Sequence, residues 1–357
     1  GATRPPATKR VLQFLKLWKL EQASSSMRIF AINIRQAVGK AKKHLVKLGL
    51  QPSAVYTTPI SLAQRDAWGL VIGPGEVLPT FVRTHDNRFW LGGPAMGLGG
   101  FMLATEAMAL MGVSLREAAP RRAALLMKES ELWEATADSI YERFADTLVL
   151  QALRLVGWSR ERRTPLRYGS LCSGPWDAVL LAFRRQGIPI HVVAFAESDD
   201  LRRQCFKEAY YVEECSTFRL MEEFAEVFSE KLDVLVVTQS CRPTSTAHCM
   251  TAEVLQERRK AAAVTTAGVV EVVKKAVANT APAVLIMEQP TRHRSHFRES
   301  YRILCEGLLS MPYGFAHGAA SPSDFGGRHA RDRLGFVGVA DGQVAGGAGA
   351  GGSSGGC

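Results

Sequence analysis

Residues 166–210 read LRYGSLCSGPWDAVLLAFRRQGIPIHVVAFAESDDLRRQCFKEAY. Two short apolar runs, LRYGSLC and HVVAFAE, are each followed by a segment of helical character, WDAVLLAFRRQG and DDLRRQCFKEAY. An apolar strand that feeds a helix and then another apolar strand calls for parallel pairing, with the helix crossing over one face. The alternation continues downstream. LDVLVVT leads into a polar loop, a helix near Ala262–Ala276 precedes APAVLIMEQ, and another at Phe297–Leu309 precedes a final run ending in RLGFVGV. The pattern predicts an α/β fold built on a doubly wound, mostly parallel sheet. Ligands of such sheets bind at the carboxyl ends of the strands.

Upstream the character changes. Residues 28–48 predict a basic amphipathic helix, with Ile34, Val38 and Leu45 on one face and Gly49 as its stop. Residues 52–92 hold short apolar runs separated by turn formers such as Gly73-Pro74-Gly75 and Asp86-Asn87, which predicts a small strand-rich region. Helices are expected again at Ala104–Met111 and Ser139–Val156, the second placing Ile140, Phe144, Leu148 and Leu155 near one stripe. Asp341–Cys357 is rich in Gly, Ala and Ser and reads as a flexible tail.

Composition narrows the function classes. The 357 residues carry a net charge of +10, and residues 1–50 hold eleven lysines or arginines against the single acid Glu21. That imbalance fits a polyanionic partner or a solvated tail. The seven cysteines are widely spaced with no C-x-x-C pair, which points to free thiols in a reducing compartment and to no metal site. The longest weakly charged stretch, Gly92–Val113, contains six glycines and Glu106, a poor composition for a membrane span.

Three strand ends carry chemistry. After LDVLVVT comes Gln239-Ser240-Cys241-Arg242-Pro243-Thr244-Ser245. A cysteine just past a buried strand and beside an arginine has the setting that lowers a thiol pKa. Such a thiolate is a covalent nucleophile, although Cys241 alone reads equally as one more free thiol. The strand VLIM ends in Glu288-Gln289-Pro290, an acid in the same cleft or a partner for Arg292 or Arg294. The last strand is entered through Asp324-Phe325-Gly326-Gly327-Arg328-His329-Ala330-Arg331-Asp332-Arg333. Arginines two positions apart on a strand point to one side. They can hold a phosphate or a base carbonyl, or form a surface ladder with Asp332.

In this order the elements resemble the core of the cytosine-C5 DNA methyltransferases. The family's Pro-Cys-Gln-Pro-Phe-Ser loop is similar to Ser240-Cys241-Arg242-Pro243-Thr244-Ser245, which keeps the cysteine, the second proline and the serine. Its Glu-Asn-Val becomes Glu288-Gln289-Pro290, and its Gln-x-Arg-x-Arg becomes His329-Ala330-Arg331-Asp332-Arg333. GSLCSG at 169–174 stands where the family has its first glycine-rich loop; Gly174 matches, while Trp176 and Asp177 replace a glycine pair. VVAFAESDDLRRQCFKEAY resembles the segment whose acid holds the donor's ribose. The remaining motifs lie upstream instead of downstream. LATEAMALMGV (103–113), Ala137-Asp138-Ser139-Ile140 with FADTLVLQAL, and VLPTFVRTHDNRFWL (77–91) resemble the closing helices and the end of the recognition region. The order is therefore that of a circular permutation.

The resemblance implies a class I S-adenosylmethionine-dependent methyltransferase fold, Rossmann-like, with a smaller strand-rich target-recognition region. It implies residues 1–98 as basic segment and recognition region, 99–158 as closing helices, 159–339 as catalytic and donor-binding core and 340–357 as tail. Cys241 would attack C6 of a flipped cytosine, Glu288 would hold its N3/N4 edge, and Arg331 and Arg333 would hold the base or the active loop. Cys172, Ser173, Gly174, Trp176, Glu197, Ser198, Glu214, Asp138 and Ser139 would line the site of the donor, S-adenosylmethionine. Ser240, Arg242, Ser245 and His329 would face the substrate. The partner implied is double-stranded DNA, met by a monomer in a nucleus or a cytoplasm. Loss of the proline before Cys241 and of the two glycines leaves open a non-catalytic, methyltransferase-like nucleic-acid-binding or scaffold protein. An RNA cytosine methyltransferase, as for transfer RNA, is also left open.

Overall fold

The computed structural model describes residues 40, 41, 43–47, 49, 51, 90, 91, 100, 101, 103–159, 161, 163–172, 174–210, 215–238, 252–325 and 332–343. The chain divides into two compact units, Gly1–Ala107 with Arg328–Ala330 and Met108–Gly327 with Arg331–Cys357. In the first, a helical stretch through residues 43–47 stops at Gly49, whose φ of 71° a side chain rarely adopts. Strands β1 (Trp90–Leu91) and β2 (Gly100–Phe101) pair antiparallel. The rest of the predicted 28–48 helix, nearly all of the strand-rich 52–92 region and the Asp341–Cys357 tail beyond Gln343 lie outside the described residues.

The larger unit is built on a seven-stranded sheet. Helices α1 (Ala104–Leu110), α2 (Ala118–Leu126), α3 (Glu129–Asp138) and α4 (Glu142–Val156) precede it in the chain. Then come β3 (Leu166–Leu171), α5 (Ala178–Arg185), β4 (Ile190–Ala196), α6 (Asp200–Tyr210), β5 (Ser216–Phe218), α7 (Met221–Val227) and β6 (Val234–Val237). The chain continues through α8 (Ala252–Thr280), β7 (Val284–Pro290), α9 (Arg292–His296), α10 (Arg298–Leu309), β8 (Tyr313–Ala320), a 3-10 turn (Pro322–Phe325) and β9 (Arg333–Ala340). The strand order is β5-β4-β3-β6-β7-β9-β8. Pairs among β3, β4, β5, β6 and β7 are parallel, and β9 pairs antiparallel with both β7 and β8. Two wings diverge from the central strand, and the one reversed strand, β9, is inserted between β7 and the edge strand β8, an order that fits the class I methyltransferase fold expected from the sequence.

Burial explains the apolar runs. All four residues of β6 and Val284–Met287 of β7 are fully buried, as strands covered by helices on both faces must be. One face is completed by α4. A Cβ at Gly335 in β9 would sit 2.4 Å from Leu148 Cδ2 and 2.9 Å from Phe144 Cζ, so a side chain there would push both residues of α4 aside. Within the described residues no helix is long and apolar enough to cross a membrane.

Several predicted boundaries are corrected. Ser139 does not open the second upstream helix. It caps α3 in extended conformation, ψ 159°, and α4 begins at Glu142. The helix near Ala262–Ala276 extends to Ala252–Thr280. Helices α2 and α3 fall in the stretch 100–157 whose sequence reads as helical without separate bounds, whereas α7, α9, β5 and β8 were not anticipated.

Glu142 is buried where α4 meets α5. The Arg185 guanidinium contacts it at 2.7 Å, Asp146 at 2.7 Å and Glu117 at 3.2 Å. Burial pushes the Glu142 carboxyl up to about 8 from its ordinary 4.5, against the pull of Arg185. The unfolded chain releases that proton near pH 4.5, so the folded state holds one more proton up to about pH 8. Stability linked to this group is therefore complete below the lower value and is lost as pH rises through the upper one. Glu142→Gln is expected to flatten the fall in stability across that window, as read by urea unfolding at stepped pH. An unchanged slope in the variant would place the bound proton elsewhere.

Candidate active site

The carboxyl edge of the sheet gathers the chemistry. Strand β3 ends at Leu171, and Cys172 follows with φ 63° and Gly174 with φ 67°. A Cβ on Gly174 would meet only the Trp176 carbonyl oxygen, at 3.8 Å, so the space over this loop is open among the described residues. The two residues that replace glycines turn inward. Trp176 is 3% exposed, and its indole Nε1 has no hydrogen-bond partner among the described residues. Asp177 caps α5: Oδ1 accepts from the N–H groups of Val179 (2.9 Å) and Leu180 (3.1 Å). Its Oδ2 accepts from Tyr168 Oη (2.8 Å) and Ser170 Oγ (2.6 Å). Burial pushes the Asp177 carboxyl up, and those four donors pull it back. Asp177 is thus a fixed buried anchor beneath the loop.

Strand β4 ends at Ala196, and Glu197 follows, 8% exposed. Its Oε2 accepts from Gly174 N–H at 2.8 Å and its Oε1 from Asp199 N–H at 3.0 Å. An ionised carboxylate offers about four lone-pair positions. Glu197 therefore keeps acceptor capacity on both oxygens. Ser198 beside it is exposed. Asp199 caps α6 through Arg202 N–H (2.9 Å), and Arg203 donates to the Glu197 carbonyl at 2.6 Å. Arg202 extends to Asp138 at the end of α3, 3.0 Å away. A hydrogen-bonded chain so links Asp138, Arg202, Asp199, Glu197 and Gly174. Ser139 turns back and donates to Thr136 O at 2.9 Å. Ser173 and Glu214 lie outside the described residues.

Strand β6 ends at Val237. Thr238 continues the edge, its N–H donating to Leu171 O (3.1 Å) and its Oγ1 to Cys172 O (2.7 Å). Ser240, Cys241, Arg242 and Ser245 follow, outside the described residues, as do His329 and Arg331. Cysteines with resolved surroundings are poor nucleophiles. Burial pushes the thiols of Cys172 and Cys215 up to about 12 and that of Cys205 up to about 11. Glu197 and Glu222 add to the effect at Cys172.

At the end of β7, Glu288 is 7% exposed and ion-pairs through Oε1 with Nε of Arg333, itself 8% exposed. The register explains the partner. Arg333 lies opposite Pro290 and Gly335 opposite Glu288, so the Arg333 and Glu288 side chains share one face as diagonal neighbours. Arg333 is thus a partner of Glu288 that the sequence did not foretell, and the Arg292 side chain lies outside the described residues. Because β9 is reversed, its first residue reaches the same edge as the last residues of β3, β4 and β7.

The residues present fit a nucleoside donor at the β3–β4 end: an open glycine turn, a carboxylate with acceptor capacity aimed at it, and a second carboxylate-bearing helix end tethered through Arg202. The sequence reading missed Arg202, Thr238 and the anchoring role of Asp177. An aspartate directly before the apolar run AVLLAF is an N-cap signature that could have revealed the last.

Neither a protein-family model nor a curated protein matches the chain. Similar solved structures include the Dnmt2 methyltransferase of S. pombe, at 14% identity and TM-score 0.36, with 49% of this chain and 51% of that one covered. The chain therefore spans about half of that protein's length. An O-methyltransferase from Bacillus cereus in complex with SAH is 12% identical with TM-score 0.37, covering 62% and 97% of the two chains. TrmN from Thermus thermophilus is 14% identical with TM-score 0.33, covering 62% and 52%.

Breaking a buried ion pair leaves one charge stranded, whereas replacing both members with apolar residues is often close to neutral. Arg333→Met is expected to cost about 3–5 kcal/mol of stability. Glu288→Leu combined with Arg333→Met should recover most of it in urea unfolding. A double variant as unstable as the single one would mean that the pair is not what Arg333 contributes.

Proposed function

We propose that this chain transfers a methyl group from S-adenosylmethionine to C5 of cytosine in DNA, with Cys241 as covalent nucleophile and the target base flipped out of the helix. The observation that carries the reading is the shared edge. Four residues drawn from separate motifs of the resemblance, Gly174, Glu197, Glu288 and Arg333, lie at the same edge of one sheet, in two pairs at the ends of β3 and β4 and of β7 and β9. The strand between them, β6, leads directly into the Cys241 loop.

The residues divide the work. Glu197 and the Gly174 turn would hold the donor's ribose and backbone, with Cys172, Ser173, Trp176, Ser198, Glu214, Asp138 and Ser139 framing them. Bound there, S-adenosylmethionine supplies an electrophilic methyl on sulfonium. The Cys241 thiolate adds to C6 and turns the unreactive C5 into an enamine-like nucleophile. Glu288 holds the N3/N4 edge of the base, and Arg333 fixes the Glu288 carboxylate against β7. Arg331, Ser240, Arg242, Ser245 and His329 complete the base pocket. After transfer, C5 gives up its proton to a base and the C6–S bond breaks, which restores both the aromatic ring and the thiolate. C5 and C6 are inaccessible within stacked duplex, so the base must leave it at a cost of about a few kcal/mol.

Duplex DNA carrying 5-fluorocytosine keeps a fluorine where the proton must depart and should trap the adduct. A covalent band with the wild-type chain, absent in Cys241→Ala, is the expected result. Methyl transfer retained by Cys241→Ala would overturn the covalent mechanism, and transfer to RNA alone would overturn the choice of target. Glu197→Ala is expected to weaken binding of S-adenosylhomocysteine more than binding of DNA, each measured separately by calorimetry. The opposite ranking would misplace the donor pocket.

A further inference from the structure

Helix α8 starts just beyond the Cys241 loop, and α9 starts just beyond the β7 end that carries Glu288. Both starts lie at the carboxyl edge of the sheet, and basic residues follow the opening turn of α8 and fill α9. Arg258, Arg259 and Lys260 stand in the second and third turns of α8; Arg294 and His296 lie on α9 and Arg298 opens α10. Arg259, Lys260, Arg294, His296 and Arg298 are exposed, and Arg258 is half-buried.

Packing locks the two segments side by side. Arg259 Nε donates to the His296 carbonyl at 2.9 Å. Beneath them, the buried hydroxyls of Thr266 and Ser300 meet at 2.6 Å, and Ser300 Oγ reaches Ala262 O at 3.2 Å. Local acids are already engaged: Lys260 pairs with Glu257 at 3.2 Å, and Arg302 holds Glu299 at 2.7 Å. Glu253 in the first turn of α8 is the further exposed acid nearby in sequence. No ion pair among the described residues includes Arg259, Arg294 or Arg298. Elsewhere in this unit Arg122, Arg167, Arg185, Arg202 and Arg333 pair with carboxylates of the fold, whereas exposed Arg116, Arg121, Arg143 and Arg154 do not among the described residues.

We propose that Arg259, Arg294 and Arg298 form a phosphate-backbone contact surface on the rim of the active site, which holds a nucleic-acid strand while one of its bases enters the pocket. The inference rests on the nucleic-acid target proposed above and names a surface separate from the basic N-terminal segment. Guanidinium groups fit phosphodiester oxygens with two parallel N–H donors. Such contacts set register without reading sequence. A backbone grip next to the pocket would also hold the distorted strand while its base is extruded.

The full chain and an end-labelled duplex DNA in a fluorescence-anisotropy titration across a salt series test the surface. Each phosphate contact contributes about 0.9 to the slope of log affinity against log salt. Arg259→Gln/Arg294→Gln/Arg298→Gln is expected to lower the magnitude of that slope by roughly 2–3 and to weaken binding about 10-fold or more at low salt. Because Arg259 also bonds the backbone of α9, Arg294→Gln/Arg298→Gln is run beside it. Both of its sites are exposed, and its slope should fall by roughly 2. Binding of S-adenosylhomocysteine should be unchanged in either variant. Wild-type affinity and slope in both variants would overturn the surface alone. A wild-type chain that binds neither duplex DNA nor RNA would overturn the nucleic-acid target, and the surface with it.

Discussion

One carboxylate organises the edge on which everything else converges. Glu197 accepts a backbone N–H from the loop after β3 and another from the loop after its own strand, so two strand ends are held as a single rim. The bonds are charge-assisted, which makes them about twice as strong as neutral ones. The backbone donors take one position on each oxygen and leave the remaining lone pairs for a ligand. The wider support runs through α6. Arg203 grips the Glu197 carbonyl, Arg202 grips Asp138 and Arg122 grips Glu208, so helices from before the sheet in sequence brace the donor end.

Trp176 and Asp177, which stand where the family that the sequence resembles has a glycine pair, share a physical character. A glycine pair leaves space and freedom; Trp176 and Asp177 fill the space beneath the loop and remove the freedom. Asp177 converts the first turn of α5 into a closed hydrogen-bonded unit with Tyr168 and Ser170 of β3. The loop above it then depends on Gly174, still open on its outer side, for close approach to a ligand. Rigid support below and an open face above are compatible with the same role reached by different residues.

The sheet was legible in the sequence where burial is two-sided. Val234–Val237 and Val284–Met287 are uninterrupted apolar runs because helices cover both faces. Strand β5 is three half-buried residues and β8 is an edge strand of glycine, alanine and exposed positions, so neither shows a period that burial would impose. Glu197, Gly174 and Glu288 could be placed because their position at a strand end follows directly from the strand. The partner of Glu288 could not, since Arg333 reaches it only through the antiparallel register of β7 and β9. Nor could the link from Arg202 to Asp138, two groups 64 residues apart whose meeting depends on how α3 and α6 pack.

The reversed direction of β9 separates two tasks along one strand. Its first residue, Arg333, closes the reactive rim, and its last, Ala340, pairs with Tyr313 at the far border of the sheet. At about 3.3 Å per residue, the eight residues of β9 carry the chain roughly 25 Å from the rim. The end of β9 therefore lies at the amino edge of the sheet, remote from the edge that carries Glu197 and Glu288. A label placed at Ala340 would sit away from the Gly174–Glu197 rim.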